Sequence, residues 1–319
     1  MSWRGNKQLT LKASRYYFGH FMKSLRNHLG RLTGADRSET GTDNNLQLVL
    51  HVGLPKAAST FMQYSVFHST DTLEYIHARK KTPIERALIA YNRDSGAKVK
   101  RRLKLRLADL PARNVLISNE SICMKPWEPW LDQGPTPESF CAGLYLLEKY
   151  GREVRVIIVI RRQDQWLASR YAESAKTDES FSTEDFERRV NDLCERSSDL
   201  GALKWLDYSD MLNRLQQRLG EQNLLVLPME RIVRDHHGLI AELEAFLGVS
   251  GWTAFYEKQG IVKKKNALSL GENVWRMRRR ETTLSLSEET QKRILSKYES
   301  TNRKASDDFG LELGRFGYF

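Results

Sequence analysis

Apolar runs of six or seven residues recur from residue 46 onward, and between them apolar positions fall three and four apart. The runs are LQLVLHV (46–52), LEYIHA (73–78, the weakest), NVLISN (114–119), VRVIIVI (154–160) and NLLVLP (223–228). Helical spacing lies near 58–69, 83–108, 136–150, 164–176, 183–197, 207–219, 236–247 and 286–308. Strands alternating with helices predict an α/β fold, a parallel sheet flanked by helices on both faces. VRVIIVI is almost wholly apolar and β-branched, as a central strand buried on both faces should be. In such sheets ligands sit outside the carboxyl ends of the strands, so the residues that follow each strand are the candidates for chemistry. GLPKAAST follows the first run, Asn119-Glu120-Ser121 the third, and RRQDQWLAS follows VRVIIVI.

The pattern divides the chain at about residue 45. Residues 9 to 32 carry one helical stripe of Phe18, Phe21, Met22, Leu25, Leu29 and Leu32, with Lys23, Arg26 and Arg31 off it. Such a stripe packs on its own domain; the competing reading is peripheral contact with an anionic membrane. TGADRSETGTDNN (33–45) reads as a linker. We therefore expect a basic N-terminal extension over 1–45 and one folded domain over 46–319. The formal net charge is +11, and residues 1–40, with eight Lys/Arg against two Asp/Glu, contribute +6 of it. A basic surface attracts anions without choosing among them. No apolar run approaches the roughly 20 residues that span a bilayer. Three cysteines without CxxC spacing, and no secretory signal pattern, predict free thiols and a cytoplasmic protein.

The stretch LVLHVGLPKAAST (48–60) is a strand running into an anion-holding turn. Gly53 permits a tight bend. Ala57, Ala58, Ser59 and Thr60 are small, so their amides can approach an anion at the start of a helix, whose dipole favours negative charge. The two hydroxyls add donors, and Lys56 adds a full charge. A nucleotide-binding Walker A loop would read GxxxxGK[ST]. Here the second glycine is missing, and no lysine precedes Ser59 or Thr60.

With its lysine inside the turn, GLPKAAST resembles the 5′-phosphosulfate loop, PKxGTT or PKAGST, of sulfotransferases that use 3′-phosphoadenosine 5′-phosphosulfate (PAPS). VIIVIRRQDQWLAS resembles the second element of that family, a strand followed by an arginine and, eight residues later, a serine: Arg161 and Ser169. The family often has Arg-Asp-Pro where this chain has Arg161-Arg162-Gln163, so the sequence leaves open which arginine serves. LDYSDMLNRLQQRLGEQNLLVLPMERI (206–232), LIAELEAFLGV and the ending KYESTNRKASDDFGLELGRFGYF are similar to further blocks of bacterial members.

The resemblance implies transfer of a sulfuryl group from PAPS to a hydroxyl or amine, with a carbohydrate or glycan as the expected acceptor, and no metal or nucleic acid. It implies that Lys56 neutralises the departing oxygen, that residues 57–60 hold the 5′-phosphate, and that Arg161 and Ser169 hold the 3′-phosphate. A late basic loop would add Lys264 and Lys265, in VKKKNALSL. By position, Glu120 is the candidate general base; it could instead cap the next helix. His51 is the rival base, or else a core histidine. Trp127 and Trp130 in SICMKPWEPWL could stack on a sugar or pack their own loop, and WRMRRR (275–280) could meet an acidic acceptor. Asp-His-His at 235–237 lacks the further Asp and His residues of a metal phosphoesterase. The alternative reading is a P-loop kinase or other nucleotide-dependent phosphotransferase.

Overall fold

The computed structural model describes residues 46–77, 82–93, 96–124, 135–149, 152–175, 181–195, 201–259, 269–271, 273–277 and 282–319. The basic helix expected at 9–32, Trp127, Trp130, Lys264, Lys265 and the last three residues of WRMRRR (278–280) lie outside these residues.

Five strands form the predicted sheet: β1 (Gln47–His51), β2 (Leu73–His77), β3 (Asn114–Ser118), β4 (Glu153–Ile160) and β5 (Leu224–Pro228). Their order is β2-β3-β1-β4-β5, and every neighbouring pair is parallel. Side chains alternate between the faces of a strand, so burial of successive residues means cover on both sides. Leu48, Val49, Leu50 and His51 are all buried, as are Val156 to Ile160. The apolar runs that mark strands in the sequence are thus apolar because neither face meets water.

The helices are α1 (Ser59–Phe61, continued by a π turn over Met62–Val66), α2 (Pro83–Arg93), α3 (Ala97–Ala108), α4 (Pro137–Lys149), α5 (Gln163–Ser174), α6 (Thr183–Glu195), α7 (Tyr208–Leu219), α8 (Met229–Arg234), α9 (His236–Leu247), α10 (Trp252–Gln259) and α11 (Glu288–Phe309). The single helical pattern at 83–108 is two helices, because Gly96 takes an extended conformation and begins α3. Three short strands, β6 (Ser269–Gly271), β7 (Val274–Arg276) and β8 (Thr283–Ser285), form a small antiparallel sheet that the sequence pattern does not announce.

After β1 the chain passes to β2 on one side of the sheet, and after β4 it passes to β5 on the other. The connections therefore part at the β1/β4 border, the point at which sheets of this kind place a ligand, outside the carboxyl ends of the strands. The C-terminal segment braces this border. Ser287 caps α11 by accepting from the Thr290 amide, and Thr290, Ile294, Tyr298, Asn302 and Ala305 are buried along one face of that helix. Asn302 Nδ2 donates to Gln163 Oε1 (3.0 Å) and to the Tyr318 carbonyl (3.1 Å), and Gln163 Nε2 donates to Asn302 Oδ1 at 2.7 Å. Tyr318 Oη donates to Glu230 Oε2 (2.7 Å), whose other oxygen accepts the Arg162 amide at 3.0 Å. The family-like ending is therefore a clamp on the first residues after β4.

Candidate active site

The loop after β1 first prolongs the sheet. Val52 and Leu54 amides donate to the Ile157 and Val159 carbonyls of β4, both at 3.0 Å. The chain then turns, and the Ala57 amide donates to the Leu54 carbonyl at 3.0 Å. That bond narrows the expected amide cradle: Ala57 spends its N–H inside the turn. Ala58, Ser59 and Thr60 remain in the first turn of α1, where N–H groups precede any intrahelical acceptor.

Lys56 (φ 67°) and Ala58 (φ 59°) are both left-handed although neither is glycine. Such a conformation costs an L-residue on the order of 1–2 kcal/mol. Left-handed residues in a turn re-aim the amides that follow them, and turns of this kind are used to hold anions. Ala58 stands where the loop PKAGST has glycine. Gly53 needs its missing side chain too: a Cβ there would sit 3.0 Å from His51 Nε2 and 3.6 Å from Ser59 Oγ. Both of those polar atoms are buried and without a hydrogen-bond partner.

The second element meets the first directly. Arg161 Nη1 donates to the Lys56 carbonyl at 2.9 Å. Burial pulls the Arg161 guanidinium below its ordinary pKa, against the opposing influence of Glu230 and Asp164. Arg162 is engaged elsewhere, in a two-pronged pair with Asp164 at 2.8 and 2.9 Å. Of the two arginines that the sequence could not separate, Arg161 is the one in contact with the loop. Tyr208 Oη holds it from behind by donating to its carbonyl at 2.5 Å.

Trp166, Ser169, Arg170 and Glu173 fall at helical spacing on one face of α5. Trp166 Nε1 donates to the Pro55 carbonyl at 2.7 Å, and Lys56 Nζ pairs with Glu173 Oε2 at 3.1 Å. Ser169 lies between them on the face that meets the loop, and it is buried. Arg170 is fully buried, with its guanidinium carbon 5.6 Å from the Trp166 ring centroid. Burial pulls its pKa down to about 10, against the influence of Cys123 and Glu120, so it is a cation at neutral pH.

Glu120 opens a short 3₁₀ turn after β3. Asn119, not Glu120, caps that turn, accepting the Ser121 amide at 2.9 Å. The Glu120 carboxylate is half-buried and accepts from Gln63 Nε2 at 3.3 Å. His51 pairs in register with Ser118, and its Nδ1 lies 2.7 Å from Ser118 Oγ. It has no exposed surface, and burial pulls its pKa down to about 3, so it is neutral and closed off from an acceptor. The Cys123 thiol donates to the Val52 carbonyl at 3.1 Å, and burial pushes its pKa well up, which makes it a packing group.

The structure thus brings Gly53, Lys56, Ala57, Ala58, Ser59, Thr60, Glu120, Arg161 and Ser169 to the carboxyl ends of β1, β3 and β4. Sequence reasoning missed Gln63, Trp166 and Glu173. A signal existed for the last two: Trp166 and Glu173 share a helical face with Ser169. Asp235 of the Asp-His-His run caps α9 by accepting the Gly238 amide at 3.0 Å. Among the described residues no group of three or more His, Cys, Asp or Glu is placed to hold a metal, and no helix is long and apolar enough to cross a membrane.

No family model and no curated protein matches the chain. Several solved structures do. A sulfotransferase from Alicyclobacillus acidocaldarius is 13% identical, with a TM-score of 0.48, over 86% of this chain and 99% of that one. Mouse sulfotransferase SULT7A1, complexed with PAP, is 13% identical, with a TM-score of 0.42, over 67% and 63% of the two chains. The sulfotransferase domain of the Synechococcus PCC 7002 olefin synthase is 12% identical, with a TM-score of 0.37, over 70% and 80%. Likeness this distant does not bear on what the chain acts upon.

Proposed function

We propose that this chain is a sulfotransferase that moves a sulfuryl group from PAPS to a hydroxyl or amine of an acceptor, most simply a carbohydrate hydroxyl. The observation that carries the reading is the hydrogen bond from Arg161 to the Lys56 carbonyl, 2.9 Å long. It joins two motifs 105 residues apart, as a nucleoside ligand charged at both its 3′ and 5′ positions would require.

The residues suit such a ligand. Ser59 Oγ is a buried hydroxyl with no partner, beside a glycine whose Cβ would crowd it. The amides of residues 58–60 and the hydroxyls of Ser59 and Thr60 would hold the 5′-phosphate. The remaining guanidinium donors of Arg161, with Ser169, would hold the 3′-phosphate, an arrangement that favours a dianion. Lys264 and Lys265 would add charge on that side. PAPS supplies the sulfuryl group and a leaving group already carrying negative charge. Lys56 would neutralise that charge as it grows on the departing oxygen, exchanging its Glu173 partner for the ligand. Glu120 would take the proton of the acceptor hydroxyl. Residues 46–319 would form the catalytic unit and residues 1–45 a basic extension.

A phosphotransferase reading has less support, since the lysine stands inside the turn and not directly before Ser59 or Thr60. The test is transfer of radiolabelled sulfate from PAPS to a panel of glycans, lipids and small alcohols, with and without magnesium. Labelled product without magnesium, lost in Glu120→Gln, is the expected result. Labelling from ATP alone, or undiminished product with Glu120→Gln, would overturn the reading or its base.

A further inference from the structure

Gln63 lies in the π turn that follows α1, where the Phe67 amide reaches back to the Met62 carbonyl at 2.8 Å. Wide turns of this kind leave backbone groups to be met by side chains, and they concentrate at functional sites. Here Tyr75 Oη donates to the Gln63 carbonyl at 3.2 Å. The Gln63 side chain is buried. Its amide nitrogen reaches Ser118 Oγ at 3.1 Å, the Ser118 carbonyl at 3.4 Å and Glu120 Oε2 at 3.3 Å. Ser118 Oγ is in turn 2.7 Å from His51 Nδ1. One carboxylate oxygen of Glu120 is therefore tied, through Gln63 and Ser118, to the histidine beneath Gly53.

We propose that Gln63 is a positioning residue for the Glu120 carboxylate. It anchors Oε2 inward, which leaves Oε1 as the oxygen able to meet an acceptor hydroxyl. Because Gln63 belongs to the helix that the loop opens, the same contact fixes the base relative to the phosphosulfate loop. The proposal rests on the reading of Glu120 as base. It explains why a buried glutamine sits among Met62, Val66 and Phe67, where an apolar residue would pack as well. A general base needs its accepting oxygen within hydrogen-bond reach, and a misplacement of about 1 Å can cost up to about a hundredfold in rate.

The test compares Gln63→Met, which keeps length but removes the donor, with Glu120→Gln and the double variant. Turnover is read as cleavage of PAPS with water as acceptor, binding as calorimetry with adenosine 3′,5′-bisphosphate, and structural coupling as urea unfolding of all four proteins. Expected are a loss of about tenfold or more in turnover for Gln63→Met, bisphosphate affinity within about twofold of the parent, and no further loss when Glu120→Gln is already present. The unfolding free energies of the two substitutions should also be non-additive. Gln63→Asn, whose shorter amide falls short of Glu120, should behave as Gln63→Met does and serves if that variant fails to fold. Parental turnover in Gln63→Met, or the same fold-loss in the Glu120→Gln background, would overturn the proposal. Parental turnover in Glu120→Gln would remove the base and the proposal together. Failure of the bisphosphate to bind would count against the PAPS reading alone, with the unfolding cycle still deciding whether Gln63 holds Glu120.

Discussion

Replacing Asn302 with alanine removes the centre of the clamp that holds the residues after β4. Asn302 is fully buried. Its loss strips Gln163 Oε1 and the Tyr318 carbonyl of their donor, while Gln163 Nε2 keeps the Leu206 carbonyl at 3.1 Å. Each buried acceptor left without a partner costs about 1–3 kcal/mol. Two of them, with some relief from water entering the space, make about 3 kcal/mol. For a chain of 319 residues that is roughly 4–5 °C in Tm. Urea unfolding measures the free energy directly, provided the slope against denaturant is unchanged. Asn302→Ala should also weaken binding of adenosine 3′,5′-bisphosphate, since Arg161 lies two residues from Gln163. A loss under about 1 kcal/mol, or full loss of stability with parental ligand affinity, would refute the link from clamp to arginine.

Other expectations follow from single residues. Ala58→Val should destabilise more than a helical alanine-to-valine change, by about 2 kcal/mol, while Ala58→Gly should be neutral or better, because φ 59° suits glycine and opposes a β-branched side chain; equal unfolding midpoints for the two would contradict this. His51, held neutral with a pKa of about 3 against 6.5 unfolded, makes the unfolded state the better proton binder between those values. Its contribution to stability therefore rises with pH and is lost as pH falls from about 6.5 toward 3, by at most about 1.4 kcal/mol per pH unit. Replacing His51 with glutamine should flatten that acid limb in pH-dependent urea titrations; an unchanged slope would refute it. Glu173→Gln removes the carboxylate charge 3.1 Å from the loop lysine and should tighten bisphosphate binding several-fold, most clearly at low salt, whereas weakened binding would make Glu173 a support for Lys56.

Four of the five long strands are legible because they are buried on both faces, and a double-sided requirement leaves a run no loop would carry; β2, with Glu74, Tyr75 and His77 only partly buried, gives the weakest run. Strands of three residues such as Val274–Arg276 are too short for any period to register, and the break at Gly96 hides inside a continuous helical pattern. The loop and Arg161 are legible from spacing along the chain. Gln63 is not, because its meaning comes from β3, 55 residues later, and from a π turn that shifts the helical phase by which the sequence is read. Asp164 takes the guanidinium fork of Arg162, while Arg161 is the arginine in contact with the loop, and neither pairing can be read from spacing along the chain.

The central claim is that Lys56 and Arg161 serve opposite ends of one ligand, and its most direct measurement is calorimetry without magnesium on the parent, Lys56→Met and Arg161→Met. Adenosine 3′,5′-bisphosphate and 5′-AMP, which lacks the 3′-phosphate, are the two ligands. The account predicts that the parent prefers the bisphosphate by about tenfold or more, the worth of one charge-assisted contact. Arg161→Met should abolish that preference, and Lys56→Met should weaken both ligands together. A parent that binds the two nucleotides alike, or an Arg161→Met protein that keeps the preference, would contradict it.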